Sequence, residues 1–278
     1  VYMIYQTFEI TALGEMAKLV TYIRSQAHLA APEPWPLVLV IPGGGYLEVV
    51  QREAEPIACA FNARGFHAAV LHYSTAPAVF PAALVQEALA IRLIRQHAAQ
   101  WNVDPDKIFV SGYSAGGHLA ASIGVFWNRP FLSELTQLEP ADMRPAGLAL
   151  AYPVITAGEY AHAGSMRNLL GKKYGDAELT ELVSLEKQVS ADTPPTFIWS
   201  TAEDAVVPVE NTLLFAGALQ RNHVDFEMHV YPRGPHGLAL VTEDTIETGN
   251  AAELRDIADW PDHAALFMRR VCARDRRG

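Results

Sequence analysis

The sequence predicts an α/β fold with a mainly parallel central sheet and helices on both faces. Short runs of β-branched and aromatic residues alternate with segments of helical periodicity, and this alternation is typical of βαβ units. Half of the 278 residues are hydrophobic, which is enough to bury the core of one domain of ordinary size. We therefore predict a single domain over residues 1–278.

Strands are predicted where short apolar runs are bounded by turn residues. They lie at residues 19–24, 37–41, 68–73, 108–110, 147–152, 196–200 and 226–231. Helices are predicted from residue 81, over 211–219 and over 260–271, and the first of them carries one apolar face made of Leu84, Ala88, Ile91, Ile94 and Ala98. Residues 126–146 and 153–195 are expected to be insertions that form a small cap or lid over a site.

Charge and composition exclude several classes of protein. The net charge of −10 repels phosphate backbones, so no nucleic-acid partner is predicted. We interpret the C-terminal basic residues as a solvated, frayed chain end; they are Arg269, Arg270, Arg274, Arg276 and Arg277. No apolar run reaches the roughly 18 residues of a membrane helix, and residues 1–10 lack the features of a signal peptide. We therefore expect no membrane span and a cytoplasmic location.

The two cysteines, Cys59 and Cys272, show no paired spacing. Disulfide frameworks and zinc sites both need such spacing. Neither a disulfide framework nor a metal site is therefore predicted.

A possible nucleophile lies in residues 112–116, whose sequence is Gly-Tyr-Ser-Ala-Gly. This G-x-S-x-G sequence falls between a strand-like and a helix-like run, which is the setting of a nucleophile elbow. Its two glycines leave room for the neighbouring backbones. Because glycine and serine are also common in ordinary loops, the motif alone is weak evidence. Ser114 is the candidate nucleophile if suitable partners exist.

A serine hydroxyl needs a positioned base, and ten histidines compete for that role. His236 lies in a loop directly after the last predicted strand, where a ring can be aimed at the edge of the sheet. The alternative for any loop histidine is an ordinary surface position. His118, four residues after Ser114 on the predicted helix, is interpreted as structural. We predict that His236 is the base.

A carboxylate must then hold the imidazole in the required tautomer. Asp204 follows the strand predicted at 196–200 and so lies at the carboxyl end of a strand, where open α/β sheets place their sites. Glu203 is the adjacent rival, and the residues alone do not decide between the two. For either acid the alternative is a solvated turn or a charge at a helix N-terminus.

A glycine-rich loop, Pro42-Gly43-Gly44-Gly45-Tyr46, follows the strand predicted at 37–41. Three glycines allow backbone amides to turn inward and stabilise a developing oxyanion. The loop could also be merely flexible, or a phosphate cradle. The chain contains neither G-x-G-x-x-G nor Gly-Lys-Ser/Thr, so nucleotide binding is not predicted.

The order of these motifs, glycine-rich loop, serine, acid and histidine, is the order found in α/β-hydrolases. The chain resembles that superfamily, and within it the hormone-sensitive-lipase-like and acetyl-xylan-esterase-like bacterial carboxylesterases. The resemblance runs from about residue 37 to residue 266 and rests on residues 42–46, 52–56, 112–120, 204–208 and 234–237.

The resemblance implies a catalytic triad of Ser114 as nucleophile, His236 as base and Asp204, in a D-x-x-V-P pattern, as acid. It further implies that the oxyanion hole is formed by the amides of Gly44, Gly45 and Ala115. One departure is Pro42, where the lipase-like pattern has a histidine. This departure favours the acetyl-xylan-esterase-like branch and leaves the support of the loop to be explained.

The function implied is that of a serine carboxylesterase that hydrolyses short-chain acyl esters through an acyl-enzyme. Acetyl esters of sugars or xylo-oligosaccharides are candidate substrates. The resemblance implies no metal or organic cofactor and a small-molecule acyl ester as partner, and it is compatible with a homodimer. Two alternatives stay open: a serine peptidase of the same fold, and a non-catalytic ligand-binding member.

Two further groups of residues near the motifs are interpreted as structural. The first consists of aromatic residues expected in the core rather than in a pocket: Tyr46, Tyr73, Trp127 and Tyr152. The second, Arg52, Glu53 and Glu55, is expected to form a structural ion-pair cluster and is not assigned to substrate.

Overall fold

An eight-stranded sheet forms the centre of the computed structural model, which describes residues 3–25, 33–246 and 248–274. The strand order is β1-β2-β4-β3-β5-β6-β7-β8. Strand β2 runs antiparallel to its neighbours β1 and β4, and every other pair is parallel. The strands are β1 Thr7–Ala12, β2 Glu15–Tyr22, β3 Trp35–Ile41, β4 His67–His72, β5 Val103–Tyr113, β6 Gly147–Ala151, β7 Thr196–Thr201 and β8 Phe226–Tyr231.

Helices occupy both faces of this sheet. They are α1 Glu55–Ala63, α2 Ala82–Gln96, α3 Ala98–Trp101, α4 Ala115–Phe126, α5 Pro130–Thr136, α6 Pro140–Met143, α7 Ala163–Leu170, α8 Ala177–Leu182, α9 Glu210–Arg221 and α10 Trp260–Arg274. Among the described residues, no helix is both long enough and apolar enough to span a membrane.

The alternation of side chains along β3 explains why both faces are covered. Leu37, Leu39 and Ile41 join the hydrophobic core that contains α2 and α4. Val38 and Val40 point to the other face and join the core that contains α1 and α10. Because the central strands are apolar on both sides, the sheet is stable only between two layers of helices. The predicted α/β fold is confirmed.

The predicted strands are all present, but the hairpin at the start of the chain differs from expectation. Strand β1 was not predicted, and β2 covers residues 15–22 instead of 19–24. The two strands are joined by Leu13 and Gly14, both at positive φ. Such two-residue turns usually carry Asn-Gly or Asp-Gly, so a leucine in the first position hides the turn from sequence reading.

The two segments predicted as cap insertions lie in different places. Residues 127–146 connect the end of α4 to the start of β6, and their helices α5 and α6 pack against α2. A cap over the site would have to lie at the sheet edge where β5 ends. Because β5 and β6 are parallel, β6 begins at the opposite edge, and residues 127–146 lead there. The cap predicted at 126–146 therefore does not agree with the structure. Residues 153–195 follow the carboxyl end of β6 and contain α7 and α8.

The basic C-terminus also differs from the expected frayed end. Arg269 and Arg270 lie on α10, where the first donates to the carbonyl oxygen of Arg64 and the second to Glu227 Oε2 at 2.8 Å. Arg276 and Arg277 lie outside the described residues.

Candidate active site

Ser114 occupies the sharp turn between β5 and α4. Its backbone has φ 52° and ψ −120°, a strained combination for a residue with a side chain. The turn is closed by glycine at position 116, because a Cβ atom there would stand 2.2 Å from the carbonyl oxygens of both Ile41 and Pro42. The close approach of backbones that was predicted from G-x-S-x-G is present.

Ser114 and His236 are brought together across 122 residues of sequence, and Asp204 completes the group. The serine Oγ lies 2.7 Å from Nε2 of His236, and Nδ1 of the same ring lies 2.6 Å from Oδ2 of Asp204. The aspartate side chain is 0% exposed and the histidine side chain 15% exposed. The ring is therefore open to a substrate on one side and tied to a buried acid on the other.

The surroundings of Asp204 fix the tautomer of His236. Its second oxygen, Oδ1, accepts hydrogen bonds from the amides of Val206 at 2.9 Å and Val207 at 2.8 Å. The carboxylate can only accept, so the proton on the imidazole is assigned to Nδ1, and Nε2 is left to accept the serine hydroxyl proton. The rival Glu203 is exposed and instead accepts from the amide of Gly234 at 3.2 Å.

A small cavity of about 210 Å³ opens beside Ser114. It is lined by Gly44, Gly45, Glu48, Val50, Arg52, Glu53, Ser114, His162, Val206 and His236. Of the three amides predicted for the oxyanion hole, those of Gly44 and Gly45 belong to this wall, and that of Ala115 begins helix α4. Within the described part of the chain, none of these three amides donates to a protein acceptor.

Side chains from several elements support the glycine-rich loop, which answers the question raised by Pro42. The Tyr73 hydroxyl donates to the Pro42 carbonyl at 2.8 Å, and Glu53 Oε2 accepts from the Gly43 amide at 2.8 Å. From the insertion at 153–195, Asn168 Nδ2 donates to the Gly45 carbonyl at 2.8 Å. A histidine before the glycines is therefore not required to hold this loop.

His118 supports the same loop through Tyr46. The Tyr46 hydroxyl donates to Nδ1 of His118 at 2.8 Å, and Nε2 of His118 donates to the Val183 carbonyl at 2.9 Å. Burial lowers the pKa of His118 to about 4, so the ring stays neutral and can make one bond of each kind. Its position matches the structural role expected for it.

Glu53 links the glycine-rich loop to His236. Its Oε1 accepts from the Tyr152 hydroxyl at 2.8 Å, and the Tyr152 ring contacts the His236 ring edge-on at a centroid distance of 5.1 Å. Burial raises the pKa of Glu53, while the Gly43 amide and the Tyr152 hydroxyl act in the opposite direction. The expected ion-pair cluster is thus corrected in one respect, because Glu53 binds these two neutral donors.

The four aromatic residues considered for a pocket lie outside the lining of this cavity. Tyr46, Tyr73 and Tyr152 are buried in the core, and Trp127 donates from its indole to the Asp192 carbonyl at 3.1 Å. His162, by contrast, lines the cavity although no sequence argument had singled it out. It lies in the insertion at 153–195, where the sequence shows no long periodic pattern.

Among the described residues, one group of side chains is close enough together to hold a metal ion: Glu227, His229 and His263. It lies on β8 and α10 and includes no member of the Ser114 site. Each side chain already has a protein partner, since Glu227 binds both His229 and Arg270, and His263 binds Asp259.

Comparison with known proteins places the chain among related enzymes. The BD-FAE family model matches residues 25–219, well over half of the chain. The chain belongs to the BD-FAE family. Its fold is also found in a solved acetyl ester-xyloside bifunctional hydrolase from Caldicellulosiruptor lactoaceticus, with a TM-score of 0.77, 37% identity and coverage of 92% of this chain and 89% of that one.

Curated relatives of this BD-FAE member are longer proteins. Endo-1,4-beta-xylanase B of Butyrivibrio fibrisolvens is 43% identical over 216 residues, which are 74% of this chain and 33% of the relative. An acetylxylan esterase of Xylanibacter ruminicola is 30% identical over 212 residues, which are 74% of this chain and 41% of the relative. The chain thus spans a third to two fifths of the length of these two relatives.

Proposed function

We propose that the chain is a serine carboxylesterase that hydrolyses short-chain acyl esters, with acetyl esters of sugars or xylo-oligosaccharides as its substrates. The observation that carries this proposal is the hydrogen-bonded chain from Asp204 through His236 to Ser114, beside a cavity whose wall includes Gly44 and Gly45. A relative named acetylxylan esterase and a structural neighbour named acetyl ester-xyloside bifunctional hydrolase support the choice of substrate.

In the proposed reaction, Ser114 Oγ attacks the ester carbonyl carbon while Nε2 of His236 takes the hydroxyl proton. Asp204 stabilises the imidazolium that forms. The bond from the carbonyl carbon to the alcohol oxygen then breaks, and the ring returns the proton to the departing alcohol. Water attacks the acyl-enzyme by the same steps, releasing the carboxylic acid and restoring the serine.

During both halves of the reaction the carbonyl oxygen carries negative charge. The amides of Gly44, Gly45 and Ala115 are proposed as its donors, because they have no acceptor within the described chain. Donors fixed before the reaction stabilise this charge without reorganisation, and losing one costs on the order of 10²- to 10³-fold in kcat. The cavity volume of about 210 Å³ favours a short acyl group.

Replacement of the nucleophile tests this proposal. Ser114→Ala is expected to lower kcat for phenyl acetate by a factor on the order of 10⁴ or more, because members of a triad act as a unit. A fluorophosphonate should label the parent protein and fail to label the variant. Turnover near the parent rate in Ser114→Ala would contradict the assignment of Ser114 as the nucleophile. Absence of labelling in the parent would favour a ligand-binding protein without catalytic activity.

Several properties remain predictions of this proposal. They are the absence of a cofactor, a small-molecule ester as partner, a homodimer and a cytoplasmic location. Assay of acetyl esters beside aminoacyl amides would separate esterase from peptidase activity, and sedimentation would give the oligomeric state.

A further inference from the structure

His162 lies just before helix α7 and is held there by its own side chain. Nδ1 of the ring accepts a hydrogen bond from the Ser165 amide at 3.3 Å, and the Ser165 hydroxyl lies 2.8 Å from the same nitrogen. An amide N–H can only donate, so this nitrogen carries the lone pair and the proton is assigned to Nε2. The cap thereby fixes the tautomer of the ring.

The position of the His162 ring is fixed by its contact with residue 164 and by the attachment of helix α7 to two loops. A Cβ atom on residue 164 would stand 3.2 Å from Cε1 of the His162 ring, and the chain has glycine there. Helix α7 is itself tied to the glycine-rich loop by Asn168, which binds the Gly45 carbonyl, and to the loop before α2 through the bond from the Phe80 amide to the Leu169 carbonyl. His162 is therefore fixed relative to the amides of that loop.

The remaining nitrogen of His162 has no hydrogen-bond partner among the described residues, although the ring lines the cavity that contains Ser114. Burial and the nearby His236 lower the pKa of His162, while Asp204 acts in the opposite direction. The ring is thus neutral at ordinary pH, and Nε2–H is a single N–H donor at a partly exposed position.

The position of His162 indicates which part of the substrate it meets. The leaving alcohol oxygen must lie next to Nε2 of His236, because that nitrogen returns the proton to it. His162 and His236 line the same cavity beside Ser114. A donor that shares this cavity with His236 can therefore reach the alcohol portion of the ester.

We propose that His162 determines specificity by donating a hydrogen bond from Nε2 to an oxygen of a polyhydroxylated alcohol, such as a sugar unit that carries the acyl group. This inference rests on the proposed carboxylesterase function and deepens it. An ester whose alcohol portion has no such oxygen makes no hydrogen bond to His162, so it loses no contact when the donor is removed. A sugar ester loses a contact that a water-filled gap replaces poorly.

The test compares two substrates in a variant that keeps the cap and removes the donor at the Nε2 position. His162→Asn retains a side-chain oxygen for the Ser165 amide, since asparagine is a good N-cap residue. Its amide N–H groups lie on a shorter side chain and do not reach the place that Nε2 occupies. We expect kcat/KM for acetylated xylobiose to fall roughly 3- to 10-fold, the range of one neutral hydrogen bond. For phenyl acetate, whose alcohol has no further acceptor, the loss in kcat/KM should be clearly smaller than the loss for acetylated xylobiose.

Controls separate this inference from folding and from the proposed function. His223→Asn, at an exposed histidine with φ 56°, should change neither substrate, and His162→Ser offers a second capping variant if His162→Asn has a lowered Tm. Equal losses on both substrates, or no loss on either, would overturn the role of His162. So would a parent that hydrolyses phenyl acetate and no acetylated xylobiose. A parent inactive on phenyl acetate would contradict the esterase proposal itself.

Discussion

The two oxygens of Asp204 perform different tasks. Oδ1 is held by the amides of Val206 and Val207, which fixes the carboxylate, and Oδ2 accepts from His236. A carboxylate that accepts three hydrogen bonds and is wholly buried cannot turn away from the ring. The D-x-x-V-P pattern thus describes a turn that orients the acid.

Replacing Asp204 by asparagine is expected to lower kcat on the order of 10³- to 10⁴-fold. The new amide would present N–H or C=O to Nδ1 without fixing the proton there, so Nε2 would no longer accept reliably from Ser114. Glu203→Gln is the matched control and should stay within about threefold, because this side chain contacts Gly234 and not the ring. If Glu203→Gln lowered kcat more than Asp204→Asn does, Glu203 would be the acid that orients His236.

Other residues of the site were beyond sequence reasoning because their partners are remote in the chain. Glu53 and Tyr152 are 99 residues apart. The sequence of the glycine-rich loop does not indicate that either residue supports it. His162 lies in a glycine-containing segment without periodicity, so it resembled the other unassigned histidines. By contrast, Ser114, Asp204 and His236 each follow a strand, and a parallel sheet brings such positions to one edge.

At the scale of elements, helix α2 shows what periodicity can and cannot predict. Most of its apolar face was predicted correctly, since Leu84, Ala88 and Ile91 are buried on α2, but Ala98 belongs to α3. Glu87 lies on that same face and is 0% exposed, where a charged residue was not expected. Neither of its carboxyl oxygens has a hydrogen-bond partner among the described residues. Spacing alone does not reveal that a carboxyl group is enclosed.

Burial raises the pKa of Glu87 well above its ordinary value, and this makes stability depend on pH. The unfolded state loses its proton near pH 4.5, whereas the folded state keeps it, so the free energy of unfolding falls as pH rises above that value. Glu87→Gln removes this loss. We expect the Tm of the variant to exceed that of the parent by roughly 2–6 °C at pH 8.

The same comparison at pH 4.5 is the control, because the parent carboxyl is then protonated in the folded state and half protonated in the unfolded state, which leaves only a small pH-dependent difference. The two melting temperatures should nearly coincide there. A Glu87→Gln variant that is less stable by the same amount at both pH values would show that the carboxyl is stabilised by a partner.

At the scale of the whole molecule, four connections meet at one edge of the sheet. The loops after β3, β5, β7 and β8 supply, in that order, the glycine-rich loop, the serine, the acid and the histidine. Both faces of the sheet are buried by helices, so the carboxyl edge is where polar loops can surround a ligand. The fold was predictable because these loops follow apolar strands, while the short helices between β6 and β7 were not.

Removal of metal ions is expected to leave activity unchanged. The group Glu227, His229 and His263 lies on β8 and α10 and shares no residue with the proposed reaction. After dialysis against EDTA, kcat/KM for phenyl acetate should stay within about 20% of the untreated value, since the proposed reaction needs only side chains and amides. A loss that Zn²⁺ or Ca²⁺ restores would show that a cation takes part.

The bond from Asn168 to the Gly45 carbonyl has a consequence for protein engineering. The segment at 153–195 carries the cavity-lining His162 and also holds the loop that contains two proposed oxyanion donors. Exchange of this segment between relatives would therefore transfer a change in selectivity together with a change in rate. A graft that keeps Asn168 should preserve turnover of simple esters, while the preference for the alcohol portion of the ester should change with the residue at position 162.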